Sequence, residues 1–255
     1  MESLYKKLKL SEEQYIEMLK NMYFSGLSHN EISKKLGCHF DIIAKHCKKY
    51  NIKSRDINDR KLVKVKHCNF TNNEKEILDG ILLADGSLFP SKIAARLTYG
   101  CKFSQTLEDI KNSFNMNFSP LWQSSKTGCW HIKSHSYAEL LEERKRWYPN
   151  NKKIVPKDIR ITSTSCYWWF IGDGYAVDYG IMLCAESFTN KDKKYLIDKL
   201  KENSFDAHIV NSNKRIRIKG NSAKLFLDWL QDNNTIADQY KYKWENGKRM
   251  KNYVR

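Results

Sequence analysis

The chain has 255 residues, 41% of them hydrophobic and 13% aromatic, enough to bury a core and too apolar for general disorder. Forty-five basic against 29 acidic residues leave a formal charge of +16, an excess that points to a polyanion, nucleic acid before a membrane surface, since no strongly amphipathic basic helix is present. No apolar run nears the roughly 20 residues that span a bilayer, "MESLYKKLKL" lacks a secretory apolar core, and seven Cys without a C-x-x-C pair read as free thiols in a reducing, intracellular compartment such as the cytoplasm, the nucleoid or an encoding organelle.

Residues 11–50 read as three short helices. In "SEEQYIEMLKNMYFSG", Tyr15, Met18, Leu19 and Met22 recur at helical spacing. In "LSHNEISKKLG", Ser28 and Glu31 form a capping box and Gly37 breaks the chain. "HFDIIAKHCKKYNI" turns Ile42, Ile43 and Cys47 inward and Lys45, Lys48 and Lys49 outward. Helix, Gly-containing turn and basic helix make the pattern of a helix-turn-helix DNA-binding domain over residues 1–50, against the plainer reading of a three-helix bundle with a solvated basic face. Cys38, His39, His46 and Cys47 fit no common zinc-finger spacing. Residues 51–72 are polar, basic and aperiodic, and read as a linker suited to phosphates.

From residue 73 the order helix, strand, strand, helix, strand, strand, helix occurs twice, over 73–160 and 161–255. The fold class expected is α+β, with two pseudo-symmetric αββαββα repeats after the small all-α domain.

In the first unit "LDGILLADG" ends an apolar helix at Asp85; in the second "CYWWFIGDG" does so at Asp173, 88 residues on. A carboxylate at a helix C-terminus faces the negative end of the helix dipole. One such residue reads as a turn cap before glycine; its recurrence one repeat later reads as function. Ala84 and Gly172 would let the two helices approach closely, and Gly86 and Gly174 would let the chain leave them. The paired carboxylates would then meet at one end, where divalent cations relieve their repulsion.

These motifs, with "NNKKIVPKDI", "AESFTNKDKKYLIDKL" and "YKYKW", resemble those of monomeric LAGLIDADG homing endonucleases over roughly residues 71–245. The resemblance implies saddle-shaped antiparallel sheets lying in the DNA major groove and Mg²⁺-dependent double-strand cleavage with short 3′ overhangs at a long target, Mn²⁺ or Ca²⁺ substituting for binding. It implies Asp85 and Asp173 as catalytic metal ligands, with Ala84 and Gly172 beside them in the metal site. It places a catalytic lysine at Lys153 and another at Lys243, with Lys241 a rival because of the doubled Tyr-Lys. Tyr167, Trp168 and Trp169 stand where the first motif has smaller residues, which suits an asymmetric single-chain interface. A catalytically silent DNA-binding regulator and an RNA-splicing maturase acting on intron RNA are the alternatives on this fold.

Alternation gives each sheet one polar face. Lys92, Arg96 and Thr98 fall on one side of "KIAARLTYG", His131, Lys133 and His135 on one side of "CWHIKSH", and Arg215, Arg217 and Lys219 on one side of "KRIRIKG". With Lys45, Lys48 and Lys49 of the N-terminal domain, these are the candidate DNA contacts, since Arg and Lys address guanine edges and phosphates.

Overall fold

The computed structural model describes residues 4–53, 65–178, 180–212 and 214–248. The chain divides into two compact units, Met1–Val65 and Lys66–Arg255; residues 54–64 of the expected linker and 249–255 of the second repeat lie outside the described residues.

The first unit contains helices α1 (Leu4–Lys7), α2 (Glu12–Phe24), α3 (His29–Leu36) and α4 (Phe40–Lys49). Ser28 and Glu31 form the reciprocal capping box their spacing predicts, and Gly37 ends α3 in the left-handed region at φ 62°. Tyr15, Leu19, Ile32 and Ile43 are fully buried at the centre of this small core. Ile42, expected inside, is exposed: it lies next to Ile43 in sequence, and consecutive helical positions point in different directions.

The second unit is built on the order α5 (Asn72–Leu83), β1 (Ser87–Pro90), β2 (Ala95–Cys101), α6 (Ser104–Asn112), β3 (Trp122–Gln123), β4 (Trp130–Lys133), α7 (Ala138–Trp147), and then α8 (Ser163–Asp173), β5 (Gly174–Val177), β6 (Gly180–Leu183), α9 (Asn190–Glu202), β7 (Ala207–Val210), β8 (Arg215–Lys219), α10 (Gly220–Asn233). A last helix, α11 (Lys241–Lys248), carries the "YKYKW" lysines. The two antiparallel sheets have matching strand orders, β1-β2-β4-β3 and β5-β6-β8-β7, so the repetition in sequence is a repetition in topology. Residues 66–71, within the segment read as linker, pack here: Lys66 bridges to Tyr137, and the N–H of buried Cys68 donates to Glu139.

Thr71 and Glu74 cap α5, and Thr162 and Ser165 cap α8. From Ile77 to Leu83 and from Ser165 to Ile171 the two helices are enclosed, at the middle of one continuous core that spans both repeats. Asp79 is the charged residue within that enclosed stretch of α5. It is fully buried and accepts from the Arg146 guanidinium at 2.6 and 3.2 Å, the Trp147 indole at 3.2 Å and the Arg160 backbone and guanidinium, both at 3.2 Å. That network ties α5 to the end of α7 and to the segment joining the repeats.

Candidate active site

Helices α5 and α8 pack directly against each other, and small residues set how closely. A Cβ on Gly172 would stand 2.6 Å from the Ala84 Cβ and 2.9 Å from the Tyr99 hydroxyl. A Cβ on Gly80 would stand 2.3 Å from the Ser165 carbonyl oxygen and 2.7 Å from the Trp168 Cβ. Ala84 and Gly172 thus meet at the crossing, and each immediately precedes an acidic residue, which brings Asp85 and Asp173 to the same end of the helix pair. Of the three bulky aromatics in the second motif, Trp168 lies at this crossing. Trp169 donates to the Cys184 carbonyl at 3.0 Å and the Tyr167 hydroxyl accepts from the Ala237 N–H at 3.3 Å, both within the second repeat.

The expected role of Gly86 and Gly174 needs correction. Neither glycine adopts the left-handed backbone of a helix-ending residue; Gly174 is extended at φ −98°, ψ 157°. Their requirement is space. A Cβ on Gly86 would lie 2.4 Å from Ile81 Cγ2 and 2.6 Å from the Ile81 carbonyl oxygen, and one on Gly174 would lie 2.2 Å from the Phe170 ring. The chain doubles back over the last helical turn too tightly for any side chain.

Both carboxylates titrate above their ordinary range. Loss of solvation raises Asp85, against the pull of Lys153 and Lys243. Loss of solvation, then the charges of Asp85 and Glu186, push Asp173 up to about 6. Asp85 remains open to solvent and Asp173 is half-buried, so surrounding protein desolvates both without sealing them off.

Two lysines complete the cluster. Lys153 Nζ donates to the carbonyls of Ala84 at 3.3 Å and Gly86 at 2.9 Å, at the end of α5. Lys243, buried, donates to the carbonyls of Phe170 at 2.9 Å, Ile171 at 2.7 Å and Gly174 at 2.7 Å, at the end of α8. Cations belong at helix C-termini, so each offsets the poor placement of its neighbouring aspartate. Burial lowers both lysines to about 8, against the charges of the two aspartates. Lys241 is exposed and pairs with Asp238 at 2.5 Å, away from these carbonyls.

The donor set suits a hard divalent cation in one specific way. Among the described residues no group of three or more His, Cys, Asp or Glu side chains converges as a metal cage. Two neighbouring carboxylates, of which Asp85 raises the proton affinity of Asp173, leave most of a shell to water and phosphate oxygens, which is how Mg²⁺ is commonly held. The Ala84 carbonyl is already engaged by Lys153, whereas Gly172 stands at the crossing.

The polar faces of the sheets hold most of the candidate DNA contacts. On the first sheet Arg96 and Lys133 are exposed, Thr98 is half-buried with its hydroxyl 3.4 Å from the Ser87 carbonyl oxygen, and His131 stacks on Trp122. Lys92 is exposed but precedes the strand, in the turn before Ala95. The local pairing explains this: the Ser91 N–H donates to the Ala94 carbonyl, closing a β1–β2 turn that takes in Lys92. On the second sheet Arg215 pairs with Glu186 and donates to the Tyr175 hydroxyl at 2.6 Å. Arg217 lies beside His208 across the β7–β8 ladder, and Lys219 pairs with Asp206 at 3.1 Å. In the first unit Lys45 and Lys48 are exposed on α4, and Lys49 donates to Glu12 at 2.8 Å.

Sequence reasoning missed Tyr99, Glu186, His208 and Trp122. Tyr99 and Glu186 reach the site only through tertiary folding, and no spacing signals them. Trp122 and His208 sit on very short strands, where alternation gives almost no pattern.

A sequence model described as the LAGLIDADG DNA endonuclease family matches residues 75–226. An uncharacterized protein of Methanocaldococcus jannaschii is 27% identical over 204 residues, covering 72% of this chain and 76% of its own length. The structure of the homing endonuclease I-WcaI bound to its DNA recognition sequence superposes with a TM-score of 0.62 at 21% identity, covering 77% of this chain and 96% of that one. The N-terminal LAGLIDADG domain of DUF199/WhiA gives a TM-score of 0.44 at 14% identity, covering 68% and 88%.

Proposed function

The chain belongs to the LAGLIDADG DNA endonuclease family, and from that premise we propose that it is a monomeric, site-specific deoxyribonuclease that cuts both strands of a long duplex target and leaves short 3′ overhangs. The single observation that carries this reading is the pair of carboxylates, Asp85 and Asp173, beside the crossing of two motif helices, each helix end backed by a lysine. One chain supplies both halves, so one molecule suffices for both strands.

Asp85 and Asp173 would hold Mg²⁺. The ion supplies activation of water and neutralisation of charge on the leaving 3′ oxygen. The chain's own groups do the rest. Lys153 and Lys243 add positive charge where the phosphate would gain negative charge, fixed in place by their carbonyl partners. With affinities for protons near 8, both remain mostly protonated at neutral pH and close to the range useful for handing a proton to or from water. Arg96, Thr98, His131 and Lys133 on the first sheet, and Arg215, Arg217 and Lys219 on the second, would face the groove. Lys92, at the end of the first sheet, would reach a phosphate. Helices α3 and α4, with Lys45, Lys48 and Lys49, would add contacts beyond the central site as a helix-turn-helix.

A binding-only regulator would have no need for two desolvated carboxylates with matched lysines, which favours the nuclease. The test is cleavage of a randomised DNA library by wild type, Asp85→Asn and Asp173→Asn, with Mg²⁺ or EDTA, followed by sequencing of ends. Defined double-strand breaks that need Mg²⁺ and both aspartates are expected. Protected sites with no breaks, unaffected by either substitution, would leave a DNA-binding protein without this activity.

A further inference from the structure

The polar face of the first sheet carries an ordered aromatic ledge. Gly100, His131 and Trp122 form one straight row across three strands, because His131 is the register partner of Gly100 on one side and Trp122 on the other. A Cβ on Gly100 would stand 2.5 Å from His131 Nδ1, so the absent side chain is the space in which the imidazole lies down over β2. Trp122 stacks on that imidazole with ring centroids 5.4 Å apart and planes at 21°. Lys133 Nζ lies 5.5 Å from the indole centroid. The indole is therefore held from one side by the row and the cation. It is nevertheless 42% exposed, and Phe89, on the same face at the opposite edge strand, is 52% exposed.

Large apolar groups standing in water on a face otherwise made of Arg96, Thr98, His131 and Lys133 need an apolar partner to be useful. The basic groups around them select a polyanion, which narrows the partner to a nucleic acid. In the major groove of a duplex the apolar feature on a base edge is the C5-methyl of thymine. The second sheet is different. Among the described residues its polar face carries none of the exposed large apolar side chains, and presents Arg215, Arg217 and Lys219 instead. We infer that the Trp122–His131 ledge reads a thymine methyl, so that the half-site under the first repeat is methyl-dependent where the half-site under the second is read through hydrogen bonds. This rests on the reading of the sheets as DNA-facing. It adds a ligand group that the reading does not specify and a difference between the two halves.

The experiment uses the full chain and the target recovered from the library. Each thymine is replaced singly by deoxyuracil, which removes only the methyl, and affinity is measured in Ca²⁺ for wild type and Trp122→Ser. One thymine should lose about three- to fivefold on demethylation with wild type, and that penalty should vanish in Trp122→Ser, which binds both duplexes equally. Gly100→Ala, which forces His131 off β2, should erase the same penalty at the same base. Unchanged uracil penalties in both variants, or a loss in Trp122→Ser that is equal for thymine and uracil duplexes, would overturn the ledge while leaving DNA binding intact. Absence of any specific duplex binding by wild type would overturn the DNA reading and the ledge with it.

Discussion

Lys153 and Lys243 occupy equivalent places in the two repeats: each follows the last helix of its αββαββα unit and lays its ammonium on the main-chain carbonyls that end its own motif helix. The two are not identical. Lys243 is buried and makes three such bonds, whereas Lys153 makes two and also lies 5.8 Å from the Phe188 ring of the other repeat. The electrostatic puzzle of an acidic residue at a helix C-terminus is thereby resolved twice with the same device.

If each lysine serves one scissile phosphate, Lys153→Met and Lys243→Met should each slow cleavage about 10²–10³-fold while sparing affinity. Each should also slow one strand more than the other, so that nicked plasmid accumulates. Lys241→Met, at an exposed position, should change the rate by no more than about twofold. Timed plasmid cleavage, resolving supercoiled, nicked and linear forms, gives all three results. An effect of Lys241→Met as large as that of Lys243→Met would reverse the assignment.

Asp173 gives a pH signature in the metal-free protein. Its folded-state value of about 6 lies above the ordinary 3.8. Between those values the folded chain holds more protons than the unfolded one, so stability falls as pH rises through the window. A divalent cation binds the ionised form and competes with the proton. Melting temperature in EDTA should therefore decline from about pH 4 to about pH 6 through this group, and Ca²⁺ should raise it above that window and much less below it. Asp173→Asn should remove both effects. Equal Ca²⁺ stabilisation at either end of the window would mean that the aspartate does not bind the ion.

Much of this architecture was legible in the sequence because it rests on periodicity. The motif helices, the alternating strands and the doubling of the unit each leave a pattern over many residues, and the capping pair Ser28/Glu31 is local by nature. What was hidden depends on contacts between distant segments. Gly86 and Gly174 looked like helix-ending glycines and are instead points where the chain folds against its own preceding turn. The choice between Lys241 and Lys243 could not be made from two neighbouring Tyr-Lys pairs. It turns on the direction in which a short helix presents them: Lys241 faces solvent and Asp238, Lys243 faces the core. The role of Asp79, inside "LDGILLADG", leaves no local signal because its partners lie 67 to 81 residues away.

That buried carboxylate makes a stability prediction independent of function. Asp79→Ala leaves the Arg146 and Arg160 guanidiniums facing a void, and should cost about 3–5 kcal/mol in urea unfolding. Arg146→Met alone should also destabilise strongly. The double variant should be more stable than the sum of the two losses predicts, since the second change removes a charge whose buried partner the first has taken away, leaving Arg146 only Glu143 and Asp158. Additive losses would show that the pair does not act as a unit.

The helix crossing separates packing from chemistry. Gly80→Ala drives a methyl into the Ser165 carbonyl oxygen and the Trp168 Cβ, and neither can move without shifting α8. Overpacking of this kind costs about 1–3 kcal/mol, so most of the protein should remain folded at room temperature. The strain is relieved by spreading the helices, and that spreading reaches Asp85 and Asp173 at the end of the same crossing. Cleavage should thus fall by much more than the folded fraction does, with affinity for the target reduced far less. An alanine at Asn73, exposed in the first turn of α5, adds no such contact and serves as the control. If Gly80→Ala cuts at the wild-type rate while measurably destabilised, the spacing of the two motif helices does not set the geometry of the carboxylates.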